Sequence, residues 1–323
     1  MEEVSRTGGC EPHIQRGHFS TANGGTLNIN ATLSASLHRQ ETASPDDWEA
    51  TFRQMVLFDL AADMELGFFL AYYRNFAIPS IAATLHANAE IQQRPMKRSY
   101  DTAIVIYELI SGGLDSDRGR TMVELLNRVH RKVPGSKDDF LYVLLTLLVV
   151  PIRWNQKHAW RQPTPAELAA ASRFFTELGT RMNIIGMPAS YAEAEDFFDH
   201  YEATHVAPSA EGQLLMDSTV RVFQSRLPAP LRPLAKQLIS TMLDDDRLTD
   251  ALGFPRAGRI SRTALKTGLA ARNAIHRSRP LKTKPHFTPG HAGSTLYPSG
   301  YTLDQIGPVN VPSSPVPSGN ELP

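Results

Sequence analysis

Arg98, Thr102 and His130 are the residues of this 323-residue chain whose types and spacing could do redox chemistry. Arg98 and Thr102 stand one helical turn apart, and Val105, Ile106 and Leu109 continue the same face. His130 lies one turn beyond Leu126 and two beyond Val123, while Arg128, Arg131 and Lys132 take the solvent sides. Polar groups on the apolar side of a core helix persist only if something inside satisfies them. A haem would do so: the imidazole can bind the iron, and Arg98 and Thr102 can meet a propionate or oxygen on the iron. Two ordinary readings stand beside this one. His130 could bond a backbone carbonyl, and Arg98 could form a helix-start salt bridge to Glu108 or Glu124.

A second group is Pro151-Ile152-Arg153-Trp154 followed by His158-Ala159-Trp160-Arg161. Arg153, Trp154 and Arg161 could clamp a macrocycle edge or its propionates, and His158 is a second candidate ligand. The alternative is a helix terminus covered by amphipathic side chains. Glu202-x-x-His205 has the spacing of a carboxylate-bridged di-iron helix, but those sites need a second such motif, and the acids around it suit a solvated face. No Walker loop, dinucleotide fingerprint, nucleophile elbow or zincin motif occurs.

The elements that must position these residues are helical. The spacing predicts helices over 79–90, 98–110, 117–132, 138–154, 165–182, 191–205, 211–226, 231–243 and 246–252, punctuated by Gly and Pro. Thr164 and Ser190 should cap two of them, and Ser44-Pro45 should open an earlier one running through Phe52 to Leu66. The expected fold is all-α: one large helical domain, 44–255, enclosing a haem pocket. Residues 1–43 are expected to be disordered, 256–284 to form a basic helical segment, and the Pro/Gly/Ser-rich tail 285–323 to be disordered.

Composition removes several function classes. Hydrophobic content of 41% with 20% charged residues suits a soluble protein with a real core. Net charge is zero, with 33 residues of each sign, so no global field favours nucleic acid. The only cysteine, Cys10, makes disulfide scaffolds, iron–sulfur clusters and thiolate-ligated haem poor fits. The most apolar run, 140–152, is too short to span a bilayer, and no signal peptide is found. A cytoplasmic protein is expected, with peripheral contact at an intracellular membrane through the basic segment.

With these residues read, the stretch from about Phe68 to His205 resembles the MpaB-type and latex-clearing (rubber oxygenase) family. The matching elements are Arg98-x-x-x-Thr102, Leu126-Asn127-x-x-His130-Arg131 and Pro151-x-Arg153-Trp154 with Trp160-Arg161. Thr164-x-x-Glu167 and Met182-Asn183-Ile184 leading to Pro188-x-Ser190 continue the pattern. The resemblance implies an all-helical oxygenase using haem b, with the proximal ligand falling on His130 and with Arg98 and Thr102 in the haem-pocket motif. Latex-clearing proteins can carry a lysine just before that threonine, on the distal side of the iron; Asp101 stands there in this chain. The MpaB-type branch is the more similar. Its fungal members cleave a carbon–carbon double bond in a prenyl chain during secondary metabolism, and carry an N-terminal membrane anchor that is not found here.

The expected function is therefore a haem-dependent oxygenase acting on a small apolar, unsaturated substrate with O2, His130 holding the iron. The rival is a non-catalytic helical protein that docks on membranes or partners through residues 256–284, where nine basic residues occur with no acid between Asp250 and Asp304.

Overall fold

The computed structural model describes residues 31–41, 47–291 and 296–308. Helices α1 (Ala31–Glu41), α2 (Trp48–Gln54), α3 (Ala61–Arg74) and α4 (Pro79–Ala87) are followed by α5 (Glu90–Gln93), α6 (Pro95–Gly112) and α7 (Asp117–His130). Then come α8 (Lys137–His158), α9 (Pro165–Arg181), α10 (Tyr191–His205), α11 (Ala210–Arg226), α12 (Ala235–Leu243), α13 (Asp246–Ala251) and α14 (Arg259–Arg277). No strand occurs among the described residues, and the fold is all-α as the periodicity predicts.

Local chemistry sets the helix ends. Thr164 accepts from the Glu167 amide and the Glu167 carboxylate bonds back, closing a capping box on α9. The Ser190 hydroxyl accepts from Glu193 N at the start of α10. Gly113, at φ +83°, stops α6 in a conformation that side chains other than glycine resist. Asp47 caps α2 through the Ala50 amide; the expected start at Ser44-Pro45 lies outside the described residues.

The core is organised around α3 crossing α8. A Cβ on Gly67 of α3 would sit 2.4 Å from Pro151 Cα, so the absent side chain is what lets the two helices meet. Leu141, Tyr142, Leu145, Leu148 and Val149 of α8 are buried, which fits the apolar run 140–152 as a core helix. α2 packs on α9, α10 on α8, α11 on α4, and α6 on α7. The helix expected through Phe52 to Leu66 is broken by a wider π-helical turn, Met55–Asp59, which buries Asp59 and aims it inward.

Three segments depart from the sequence reading. Residues 31–41, within the stretch expected to be disordered, form α1, and the Thr32 hydroxyl donates to Arg279 O at 2.6 Å. Residues 285–291 and 296–308, within the expected disordered tail, bury Phe287, Tyr301 and Ile306 in the core. In the basic segment, Arg259–Arg277 form α14, and three of its nine charges are spent on acids. Arg256 pairs with Asp250, Arg262 with Asp246 at 2.7 Å, and Arg272 with Asp63 at 2.8 Å. Asp246 and Asp250 come from α13, just upstream, and Asp63 comes from the distant α3.

Candidate functional site

Helices α3, α4, α6, α7, α8 and α11 line a cavity of about 330 Å³. That is within the roughly 300–1,000 Å³ usual for small-molecule sites. Its wall is largely apolar: Phe68, Phe69, Ile104, Phe140, Val143 and Leu147 contribute to it. Arg98, Thr102 and His130 all line it, so the three residues singled out by spacing converge on one space.

His130 is the last residue of α7. Its Nδ1 lies 2.7 Å from Leu126 O, one turn back. A carbonyl can only accept, so Nδ1 carries the proton and the Nε2 lone pair is left available. Burial is the main cause that holds this imidazole below the ordinary histidine range, with the Arg98 cation adding to it. The ring is therefore a neutral donor at physiological pH. The bland reading, a carbonyl-bonded histidine, holds for one nitrogen and leaves the other for chemistry.

Arg98 and Thr102 form a local unit on α6. Arg98 Nη1 donates to Thr102 Oγ1, and that hydroxyl donates to Arg98 O at 2.8 Å. The expected alternative partner Glu108 is taken by Arg118, whose Nε and Nη2 reach it at 2.8 and 2.6 Å. Arg98 has no carboxylate partner among the described residues. Arg226 also faces the cavity, and its guanidinium sits 4.9 Å over the Tyr100 ring. The Tyr107 hydroxyl and Asn75 Oδ1, on residues that line the cavity, are buried with no partner among the described residues. Such orphan atoms cost about 1–3 kcal/mol each unless a ligand or water satisfies them. The space thus offers one neutral imidazole, unpaired guanidinium and polar atoms awaiting partners, set in aromatic walls.

The second sequence group does not reach this space. Arg153 is held by Glu195 at 2.9 Å and Asp199 at 2.6 Å, over the Phe198 ring. Trp154 is buried and donates Nε1–H to Asp63 at 3.0 Å. Arg161 is 5% exposed and joins Asp59 at 3.0 Å, Glu167 at 2.8 Å and Ser36 Oγ at 2.9 Å. None of the three lines the cavity, and the physical reason is shared: carboxylates from other helices satisfy the arginines, and one satisfies the indole. His158 stacks on Trp154 with ring centroids 4.4 Å apart, also away from the cavity. Glu202 binds Arg74 and the Tyr142 hydroxyl, and His205 Nδ1 contacts Tyr201 O, so that helix is structural as its acids suggested.

Sequence reasoning missed Tyr107, Glu65, Arg226, His286 and Phe287, all of which line the cavity. Glu65 Oε2 lies 3.1 Å from His286 Nε2, and this hydrogen bond draws the carboxyl below its usual range. A signal for the last two was present. His286, Phe287, Tyr297 and Tyr301 put four rings into a tail read as disordered, where aromatics are normally scarce.

These burial-driven shifts fix a pH dependence. His130, His158 and His276 all sit below the ordinary value in the folded protein. The unfolded chain therefore takes up protons first as pH falls below about 6.5. Stability is complete above that point and is lost as pH drops toward the folded values. Burial pushes the Glu108 and Asp139 carboxyls up, but their hydrogen-bond donors outweigh it and hold both below the usual range. They add a second loss in the acid range. Urea unfolding of the haem-free protein between pH 7.5 and 5 should show falling stability, with a shallower slope in His130→Ala. Equal slopes would mean that His130 is not held neutral.

The comparisons with known proteins agree with this architecture. The pattern of the family described as "ER-bound oxygenase mpaB/B'/Rubber oxygenase, catalytic domain" matches residues 58–274. ER-bound oxygenase mpaB' of Penicillium brevicompactum is 24% identical over 306 residues, covering 74% of this chain and 72% of the relative. ER-bound oxygenase mpaB of Penicillium roqueforti (strain FM164) is 26% identical over 200 residues, covering 56% of this chain and 67% of the relative. The solved structure of latex clearing protein in the closed state superposes with a TM-score of 0.58 at 17% identity, over 78% of this chain and 74% of that one. At that identity the superposition speaks for the fold alone. With the pattern spanning most of the chain, the protein belongs to the mpaB/B' and rubber oxygenase catalytic-domain family and is an oxidoreductase of the oxygenase kind.

Proposed function

We propose that the protein is a haem b-dependent oxygenase that acts on an apolar, unsaturated substrate of the prenyl type, by oxidative cleavage of a carbon–carbon double bond. One observation carries the reading: a neutral imidazole, Nδ1 already bonded, stands in an apolar cavity beside an arginine that has no carboxylate partner among the described residues. The residues present fit the group. His130 Nε2 is the donor that histidine-ligated haem requires, the aromatic walls suit a macrocycle, and Arg98 and Arg226 suit its carboxylates. No cluster of three His, Cys, Asp or Glu among the described residues could hold a bare metal ion, so a single imidazole here suits iron already held by a macrocycle.

Haem supplies the activation of dioxygen; the chain supplies everything around it. His130 would hold the iron through Nε2, its ring oriented by the hydrogen bond from Nδ1 to the Leu126 carbonyl. Arg98 would direct N–H groups toward negative charge as it develops, in a site where low polarity strengthens them. Thr102 fixes the guanidinium by accepting from Nη1. Phe68, Phe69 and Leu147 exclude water and receive the apolar chain. Arg153, Trp154 and Arg161, expected from their spacing to be cofactor contacts, act instead as supports for the helices.

Peripheral membrane contact is the remaining part of the reading, and the relatives named ER-bound support it. No helix among the described residues is long and apolar enough to cross a membrane. With Arg256, Arg262 and Arg272 engaged by acids and Arg277 donating to Trp160 O, the cations left for an anionic surface are Arg259, Lys266, Arg279, Lys282 and Lys284.

The purified protein should be coloured, with a Soret band and activity on a prenylated substrate. Arg98→Ala should reduce turnover by about 100-fold or more, the scale of removing one preorganised donor. Apo-protein stability should change by less than about 1 kcal/mol, because no ion pair is broken. A large loss of apo stability with full turnover would make Arg98 a structural residue and end its catalytic assignment.

A further inference from the structure

One wall of the cavity comes from beyond residues 58–274, the part that matches the family pattern. His286 N donates to Leu57 O at 2.8 Å, and the chain then lays Phe287 against Tyr107, ring centroids 5.3 Å apart and 20° from parallel. Phe287 is 9% exposed and lines the cavity.

Asp101 and Glu108, two buried acids of α6, hold the stretch of chain beyond Phe287. Asp101 is 3% exposed and accepts from the Tyr297 hydroxyl at 2.8 Å, from Gly307 N at 3.0 Å and from Lys97. Lys97 also donates to Gln305 O at 3.0 Å and Gly307 O at 3.2 Å. Glu108 is fully buried and accepts from Gly290 N at 3.2 Å, from the Tyr301 hydroxyl and from Arg118. Gly290, Gly300 and Gly307 have φ of +78°, +94° and +102°, which lets the segment fold back on itself. A Cβ at Gly300 would meet Gly290 O at 2.6 Å.

A buried carboxylate without donors is costly, and here most of the donors belong to this segment. One side of α6 therefore presents Arg98 and Thr102 to the cavity, while Asp101 and Glu108 grip the returning chain. Asp101, which stands where latex-clearing proteins carry lysine, does not line the cavity at all.

We propose that residues 285–291 and 296–308 form a strap that sets the length of apolar ligand the cavity accepts. Phe287 is its specificity-determining wall, and Asp101 and Glu108 are positioning residues that hold it. The proposal rests on the cavity being the substrate site.

The test uses the full chain and saturated primary alcohols of about six to sixteen carbons, titrated by calorimetry. Each methylene that fits should raise affinity about fourfold, until the wall is met and the gain stops. Phe287→Ala should move that stop to longer alcohols by about three carbons, and Phe287→Trp should move it to shorter ones. Phe287→Leu serves if the alanine variant fails to fold. The double variant Tyr297→Phe, Tyr301→Phe loosens the strap without touching the acids. It should speed hydrogen exchange of 286–307 and flatten the length dependence, at an unchanged Soret band.

A stop at the same carbon number in all the Phe287 variants would overturn the strap as a length gauge. So would faster strap exchange with the length profile intact. If the wild-type protein bound no alcohol of any length, the cavity reading would fall and the strap proposal with it. Soret spectra recorded in parallel test the haem reading separately.

Discussion

His130→Ala should purify without a Soret band and without oxygenase activity, while its helical circular dichroism stays that of the parent. Among the described residues, the variant removes the only cavity imidazole whose second nitrogen is already bonded to a helix carbonyl. Its stability cost should be small, about 1 kcal/mol, because a single side-chain bond to a backbone oxygen is lost. Cofactor retention and folding are thus separable in one protein. An unchanged Soret band would sink the assignment. The next ligand to examine would then be His286, the other histidine of the cavity wall, and not His158, which stacks on Trp154 outside it.

Arg161→Ala should behave in the opposite way, with stability collapsing and haem chemistry spared in the molecules that remain folded. Its guanidinium joins Asp59 of the π-helical turn, Glu167 at the start of α9 and Ser36 of α1. Removing it strands two carboxylates in the interior, which costs about 3–5 kcal/mol. Urea midpoints should fall accordingly. Replacing Asp59, Arg161 and Glu167 together by apolar residues of similar volume should cost less than the single change, since no buried charge is left unmatched. A stable Arg161→Ala protein that lost its Soret band would return this arginine to the cofactor site.

These two residues also mark how far the sequence reaches. His130 was legible because a lone imidazole on the stripe of Val123 and Leu126 has one direction to point, and helical periodicity fixes it. Arg98 and Thr102 were legible for the same reason, being one turn apart on a face continued by Ile106. Arg161 sits in an equally suggestive setting beside Trp160, yet its partners lie 102 residues upstream and 6 downstream. Glu167 lies close in sequence, but the same carboxylate also closes the α9 capping box by accepting from Thr164 N.

Local order along the chain is enough for the all-α class, most helix boundaries and caps, and the three residues that meet at the cavity. Each of these depends on neighbours within a turn or two, where backbone geometry alone dictates who faces whom. Long-range packing set which charges are spent. Asp63, Asp246 and Asp250 claim arginines of the basic segment, and Glu195 and Asp199 claim Arg153. It also decided that a Pro- and Gly-rich tail returns to wall the cavity. Electrostatic and aromatic partners of that kind are set by chain path, and no local pattern records them. Asp101 shows this most plainly: read along the chain it belongs to the cavity motif, and in the fold it holds Tyr297 and Gly307.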